Sequence, residues 1–199
     1  SGTWQWAKAA GGCSSVAAAV ESVAIDSDDN IFFSGFGSGT FGSTTLSGAG
    51  FVANISTSGN WNWAISYSGN GNDRINDLAM GDDGWLYASG SFDTTVTFGS
   101  TTLTAQAYQD GFVLRINRSG SWDWVKQIKS DGYAYSNTLD VDSNGDIQLS
   151  TDFSNGWVEI GTYNFTSNNS FKDIALATIS SSGTWISASH HGGSGSETS

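Results

Sequence analysis

The stretch Ser58-Gly59-Asn60-Trp61-Asn62-Trp63-Ala64 recurs along the chain and divides it into units. Close copies begin at Ser1 and Ser119, and a degenerate copy begins at Ser182. The steps between successive copies are 57, 61 and 63 residues. Self-similarity at a nearly constant period indicates a repeat architecture, in which small modules share one continuous core.

Two tryptophans separated by one polar residue form the centre of this motif. Side chains at positions i and i+2 lie on one face of a strand, so the motif predicts a strand with one packed face. Because the tryptophans recur at the same position of each unit, packing between neighbouring modules is the favoured interpretation. The alternative is a set of sugar-stacking platforms in which Asn62 and Asp123 add polar contacts. The repeated positions are Trp4, Trp6, Trp61, Trp63, Trp122, Trp124 and Trp185.

The rest of each unit contains short apolar runs joined by turn residues. In the first unit, an apolar run ending at Ile25 precedes an Asp/Ser/Asn turn, and a second run begins at Ile31. Such a pair predicts a hairpin. A smaller hairpin and another strand then lead into the next tryptophan motif. Each unit is therefore expected to contain a four-stranded antiparallel module, and the 26 glycines and absence of proline fit short strands with tight turns.

The units resemble the β-propeller repeats of large secreted bacterial proteins and some viral surface proteins. The resemblance implies an all-β propeller, or an open propeller segment, with the tryptophan strand outermost in each blade. It implies little about activity, because propellers serve binding, catalytic and structural roles. The matching segments are Val23 to Gly35, Phe41-Gly42, Phe51-Val52-Ala53 and Ser58 to Ala64, and again Leu78 to Gly90, Phe98-Gly99, Phe112-Val113-Leu114 and Ser119 to Val125.

In this phase the chain is one repeat domain, 1–199, with three complete blades and an extra outer strand at its N-terminal end. Three blades and one strand do not close a ring, since about four blades are the minimum. Exposed strand edges would remain. We therefore expect further repeats of a longer chain or another chain to complete the structure, and a complete chain would form a homopolymer or filament. The predicted segments are an orphan strand 1–8, blade 1 at 20–67, blade 2 at 75–128, blade 3 at 137–190 and a flexible Gly/Ser tail at 191–199.

Charge and composition restrict the partners and the location. Seven basic against nineteen acidic residues give a formal net charge of −12, which would repel a nucleic-acid backbone. No apolar run is long enough to insert into a membrane. The lone Cys13 allows no disulfide within the chain and is expected to be a small residue after a strand. The acidic, Ser/Thr-rich composition favours an extracellular, cell-surface or virion-surface protein.

One turn carries the oxygen ligands of a calcium loop. Asp140, Asp142, Asn144 and Asp146 alternate around Gly145, which would let their oxygens converge on one hard cation. The fit is partial because Gln148 stands where a further acid is expected. The corresponding turns near Asp26 and Gly81 favour ordinary turn chemistry. Calcium at these four residues is the only cofactor that the sequence predicts.

Aromatic residues outside the repeat positions are the better candidates for glycan binding. They are Tyr108, Tyr133, Tyr135 and Trp157, which would otherwise cap the core. His190 and His191 are adjacent and would point to opposite faces of a strand, so they do not form a metal pair. No Ser/His/Asp arrangement or carboxylate pair suggests catalysis.

The sequence thus predicts a non-enzymatic structural and adhesive protein of an extracellular or virion surface. The expected partners are copies of the chain, or further repeats of a longer one, together with surface glycans. Two alternatives stay open: a lectin-like carbohydrate-binding module, and the non-catalytic propeller part of a larger secreted protein.

Overall fold

The computed structural model describes residues 2–11, 19–167 and 171–193, and these ranges contain eighteen β-strands and no helix. All strand pairs within the sheets are antiparallel. The predicted all-β, propeller-like class is confirmed, and the sheets form an open array of blades.

Each blade contains four strands that lie side by side in chain order. The innermost strand carries a one-residue bulge in every blade, at residues 21, 76 and 137. Blade 1 consists of β1 (Ala19–Ile25), β2 (Ile31–Phe36), β5 (Gly50–Ile55) and β6 (Trp61–Gly69); blade 2 of β7 (Arg74–Met80), β8 (Leu86–Phe92), β11 (Asp110–Ile116) and β12 (Trp122–Ser130); blade 3 of β13 (Tyr133–Val141), β14 (Ile147–Ser154), β17 (Asp173–Ile179) and β18 (Trp185–His191).

The smaller hairpins connect one blade to the next. β9 pairs with the end of β6 through Ser68 and Thr97, and β15 pairs with the end of β12 through Lys129 and Glu159. An outer strand thus continues beyond its own blade and holds the small hairpin of the following one. The hairpins are β3 (Gly39–Phe41) with β4 (Thr44–Leu46), β9 (Thr95–Phe98) with β10 (Thr101–Thr104), and β15 (Trp157–Ile160) with β16 (Tyr163–Thr166).

Neighbouring blades pack face to face, with β1, β7 and β13 adjacent at the inner side. We call the side of a blade that packs on the following blade its forward face, and the opposite side its backward face. One apolar core joins the forward face of blade 1, with Phe32 and Val52, to the backward face of blade 2. A second joins the forward face of blade 2, with Tyr87 and Val113, to the backward face of blade 3.

The predicted orphan strand 1–8 is wrong as a strand, because residues 2–10 have no regular structure. A strand needs a neighbour for its N–H and C=O groups, and the described residues provide none beside this segment. Its position nevertheless matches that of an outer strand. Gly11 forms an isolated antiparallel bridge with Thr40, in the register of Ser68 with Thr97.

The segment bounds differ slightly from the predictions. Blade 3 begins four residues earlier than expected, at Tyr133, because β13 stays paired with β14 as far as Ser154. His191 belongs to β18, where it pairs with Ile174, so the predicted tail does not begin at residue 191. Residues 194–199 of that tail, and Cys13, lie outside the described residues.

Candidate functional site

The second tryptophan of each motif anchors its blade to the next one. Trp63 Nε1 donates a 2.7 Å hydrogen bond to the Arg118 carbonyl of blade 2, and Trp124 Nε1 donates a 3.1 Å bond to the Ser181 carbonyl of blade 3. The ring of Trp63 lies so close to Gly120 that a methyl group there would approach within 2.7 Å. This geometry explains why the Ser-Gly turn and the Trp strand recur together.

The first tryptophan packs on the small hairpin of its own blade. Trp122 lies edge-on to Phe98, with ring centroids 5.2 Å apart, and it covers the neighbouring Gly99. Trp61 has the same relation to Phe41, at 5.4 Å. The recurring Phe-Gly pair therefore forms the surface on which the first tryptophan packs.

Asn62 and Asp123, the proposed polar partners of a sugar platform, are engaged within their blades. Asn62 donates to the side chain of Asn54, and Asp123 forms an ion pair with Arg115. The guanidinium of Arg115 also lies 4.1 Å from the Trp85 ring centroid. These contacts support the packing interpretation of the tryptophan motif.

The backward face of blade 1 is apolar and largely uncovered. On β1, Val20, Val23 and Ile25 are 60%, 58% and 58% exposed. Ile75 and Leu78 stand at the registers of Val20 and Val23 in blade 2, where they are 0% and 5% exposed. The difference arises because blade 1 covers blade 2, whereas no described residue covers β1 in the same way.

Residues 2–11 cover part of this face from the outside. Trp6 Nε1 donates a 2.7 Å hydrogen bond to the Thr57 carbonyl, and its ring packs on Gly59 as Trp63 packs on Gly120. Trp4, by contrast, is 92% exposed. A cavity of about 230 Å³ remains between this segment and the blade, lined by Lys8, Ala10, Val20, Phe33, Phe41 and Trp61 among others.

The forward face of blade 3 has a different chemistry. Gln148 stands where blades 1 and 2 have Phe32 and Tyr87, and Ser187 stands where they have Trp63 and Trp124. Leu176 keeps an apolar side chain at the register of Val52 and Val113, and it is 46% exposed. Polar outer faces are typical of terminal repeats, which keep an array soluble.

Three of the four candidate glycan-binding aromatics meet in one cluster, which we call the tyrosine ladder: Tyr108, Tyr133 and Tyr135. The Tyr108 and Tyr133 rings stack with centroids 5.2 Å apart, and the Tyr133 and Tyr135 rings are parallel with centroids 6.2 Å apart. Tyr108 is 64% exposed. The structure therefore brings together tyrosines from a loop and from β13.

The backbone and a charged pair hold the ladder in place. The amide of Ala134 donates to the Gln109 carbonyl at 2.9 Å, which joins the loop of Tyr108 to β13. Lys172 Nζ lies 5.2 Å from the Tyr135 ring centroid and 3.2 Å from an oxygen of buried Asp152. Burial, followed by the neighbouring Tyr133, raises the pKa of Tyr135. Trp157 lies outside the ladder, where its amide donates to Asp131.

The candidate calcium turn uses its central carboxylate for its own backbone. Asp142 Oδ1 accepts hydrogen bonds from the amides of Asn144 and Asp146, and its Oδ2 accepts one from Gln148. These bonds, led by that from Asn144, lower the pKa of Asp142. Asp140 accepts from the amide of Val141. Over the described ranges, no three His, Cys, Asp or Glu side chains are grouped to hold a metal ion, and calcium binding stays a prediction.

His190 is part of the packing of blade 3. Its Nε2 lies 3.0 Å from Asp173 Oδ2, and its ring lies between Phe153 and Phe165, with centroids 5.3 and 5.7 Å away. Gln127 occupies the same register in blade 2 and hydrogen-bonds Asp110 there. In blades 2 and 3, this side-chain pair therefore links the third and fourth strands.

Sequence reasoning missed the two unequal end faces. The side-chain types were visible in the sequence, since Val20, Val23 and Ile25 resemble the buried Ile75 and Leu78. Alignment of the blades by register, which needs the bulge positions, was required to show which of these residues is covered. The difference between Tyr87 in blade 2 and Gln148 in blade 3 likewise becomes visible only when the blades are aligned by register.

Comparisons with known proteins leave the family open. No family model matches the chain, and no curated protein matches it. A solved protein of unknown function from Bacteroides caccae is similar, with a TM-score of 0.40 and 10% identity over 85% of this chain. The chain spans about 60% of the length of that protein. The part of the chain that the structure describes contains no helix of the length and apolarity needed to cross a membrane.

Proposed function

We propose that this protein is a non-enzymatic structural and adhesive module of an extracellular, cell-surface or virion-surface assembly. The observation that carries the proposal is the set of contacts that the repeated residues make between blades. Trp63 and Trp124, with Gly120 and Gly183, all serve the junctions between blades. The motif that defines the chain thus has an architectural role.

The composition agrees with a location outside the cell. A formal charge of −12 and a Ser/Thr-rich composition would help to keep an open array of blades in solution. The apolar face of blade 1 adds a junction through which the module would join a larger body.

Surface labelling tests this function. Antibodies raised against the folded chain should bind intact cells or particles of the source, and protease treatment of intact material should remove the binding. A cytoplasmic protein measured in parallel should resist the protease. Binding that appears only after lysis would contradict an outer location and with it the proposed role.

Carbohydrate binding at the tyrosine ladder is the second candidate function. Three tyrosines lie together, one of them 64% exposed, beside the paired charges of Lys172 and Asp152. Aromatic faces pack against the C–H groups of sugar rings, and charged or polar groups at their side accept and donate hydrogen bonds to hydroxyls.

A glycan array separates this candidate from a purely structural role. The wild-type chain should bind a defined set of glycans, and Tyr108→Ala should weaken that binding at least tenfold because it removes the most exposed ring. Trp4→Ala is the matched control, since Trp4 is an exposed aromatic outside the ladder. An array without a bound glycan, or equal loss in both variants, would remove the ladder from consideration.

A further inference from the structure

We propose that the backward face of blade 1 is the docking surface for a further blade of the same kind. That blade brings three strands and takes residues 2–11 as its fourth. Its forward face carries an aromatic residue in the place of Phe32 and Tyr87, and a valine in the place of Val52 and Val113. This inference goes beyond the proposed function, because it identifies a partner by its surface chemistry.

The two junctions within the chain provide the template. In the first, Phe32 and Val52 of blade 1 share a core with Ile75 and Leu78 of blade 2. In the second, Tyr87 and Val113 of blade 2 share a core with Leu139 and Leu149 of blade 3. At both junctions, an aromatic residue and a valine on the forward face of one blade therefore cover the apolar backward face of the next blade.

Blade 1 has the receiving half of such a junction. Val20 and Val23 occupy the registers of Ile75 and Leu78. Behind them lies a small cluster of Phe41, Phe51 and Ala53, packed against Phe33 and Trp61. Three exposed aliphatic side chains side by side on one strand are a surface that another element covers in a stable assembly.

The outer strand of the expected blade is already seated. Trp6 makes the carbonyl hydrogen bond and glycine contact that Trp63 makes at the next junction. Gly11 pairs with Thr40 in the register of Ser68 with Thr97. Both outer-strand contacts of a blade junction are thus present on blade 1, whereas the inner three strands are supplied by the partner.

A polar link at the inner strands adds one more requirement. The amide of Leu78 donates to Ser22 Oγ at 3.2 Å, and the amide of Leu139 donates to Asp77 Oδ2 at 3.1 Å. In each case, the bulge of one blade offers a side-chain oxygen to the next blade. Val23 stands at the register of Leu78 and Leu139, so the partner should present Ser, Thr or Asp beside its bulge.

A second copy stacked head to tail does not meet this description. Its blade 3 would offer Gln148 and Ser187 where the junctions have an aromatic and a tryptophan. Gln148 donates to Asp142 and accepts from Thr178, and covering this polar group with valine and phenylalanine would remove it from water, which costs free energy. Docking therefore has one direction, with blade 1 as the receiving end and blade 3 as a polar end.

The test adds three candidate strands in front of the full chain. Residues 19–57, which contain the first three strands of blade 1 and its small hairpin, are fused before Ser1, so that Thr57 of the copy precedes the Ser-Gly turn as it does naturally. The comparison fusion carries residues 131–181 of blade 3, which end before the same turn. Thiol labelling of Val23→Cys in the original blade, in a Cys13→Ser background, reports whether the face is covered.

The blade 1 fusion should slow labelling at least tenfold relative to the unfused chain. The blade 3 fusion, and the blade 1 fusion with Phe32→Gln in the copy alone, should label within about threefold of the unfused chain. Leu78→Cys should label slowly in all proteins, which verifies that the original blades remain folded. Equal labelling in the unfused chain and the blade 1 fusion would overturn the proposal.

Two further outcomes would also overturn it. Equal protection by both fusions would show that the aromatic forward face is not what the surface selects. Slow labelling of the unfused chain that becomes faster on dilution would show that a second copy occupies the face instead.

Discussion

Replacing Trp63 with alanine should lower the free energy of unfolding by about 2 to 4 kcal/mol, because it removes the anchor between blades 1 and 2. The substitution deletes a 2.7 Å hydrogen bond to Arg118, the packing on Gly120 and a ring contact with Phe32 at 5.9 Å. For a chain of this length, the melting temperature should fall by roughly 5 to 15 °C. Calorimetry or chemical denaturation followed by fluorescence measures the change.

Trp4→Ala is the matched control, since it removes the same residue type from the same motif. The side chain of Trp4 is 92% exposed, so its loss should change stability by less than about 0.5 kcal/mol. Equal destabilisation by both substitutions would show that the second tryptophan of the motif is not the anchor. Trp6→Ala should have a small global effect as well, because its bond to Thr57 holds only residues 2–11.

A second large effect is expected from Gly90→Ala in the middle of β8. The added methyl group would overlap the carbonyl oxygen of Arg74 on β7 and the ring of Phe112 on β11. Two neighbouring strands must then separate or Phe112 must leave its place, and overpacking of this kind costs about 3 kcal/mol or more. The measurement is the midpoint and free energy of urea unfolding.

Blade 3 supplies the control. Thr151 occupies the register of Gly90, and Ala175 occupies that of Phe112. Thr151→Ala keeps the Cβ atom and removes a buried hydrogen bond to Ser136, so its cost should be about 1 to 3 kcal/mol. A smaller loss of stability from Gly90→Ala than from Thr151→Ala would contradict the steric explanation.

The exchange between these positions is a volume compensation. Blades 1 and 2 combine glycine with phenylalanine, as Gly35 with Phe51, whereas blade 3 combines Thr151 with Ala175. A small residue on one strand thus makes room for a large one on the next. The same repeat frame therefore accepts either arrangement, provided that both positions change together.

The two end faces give the module a direction. Val23 on blade 1 is 58% exposed, and an apolar forward face would fit against it. Gln148 and Ser187 make the forward face of blade 3 polar, so that it is suited to contact with water. A module of this form would join a larger body at one end and present the other to its surroundings. The tyrosine ladder joins a loop of blade 2 to β13 of that polar blade, which agrees with the adhesive part of the proposed role.

The sequence by itself determined the all-β class, the repeat and the order of strands within each blade. Alternating side chains and turn residues act over a few neighbours, and the copies at Ser1, Ser58 and Ser119 repeat them in phase. The grouping of Tyr133 with Tyr135 is local in the same sense, because residues two apart on a strand share a face.

Only the tertiary structure decided which of two equivalent residues is covered. Val23 and Leu78 have similar side chains and local sequence, yet they differ in exposure by more than tenfold because one of them has a blade in front of it. The absence of a strand at residues 2–10 has the same cause, since a strand requires the hydrogen bonds of a neighbour. Burial and strand pairing depend on which residues lie opposite in space. A periodic sequence repeats the same residue types whether or not a neighbouring blade covers them.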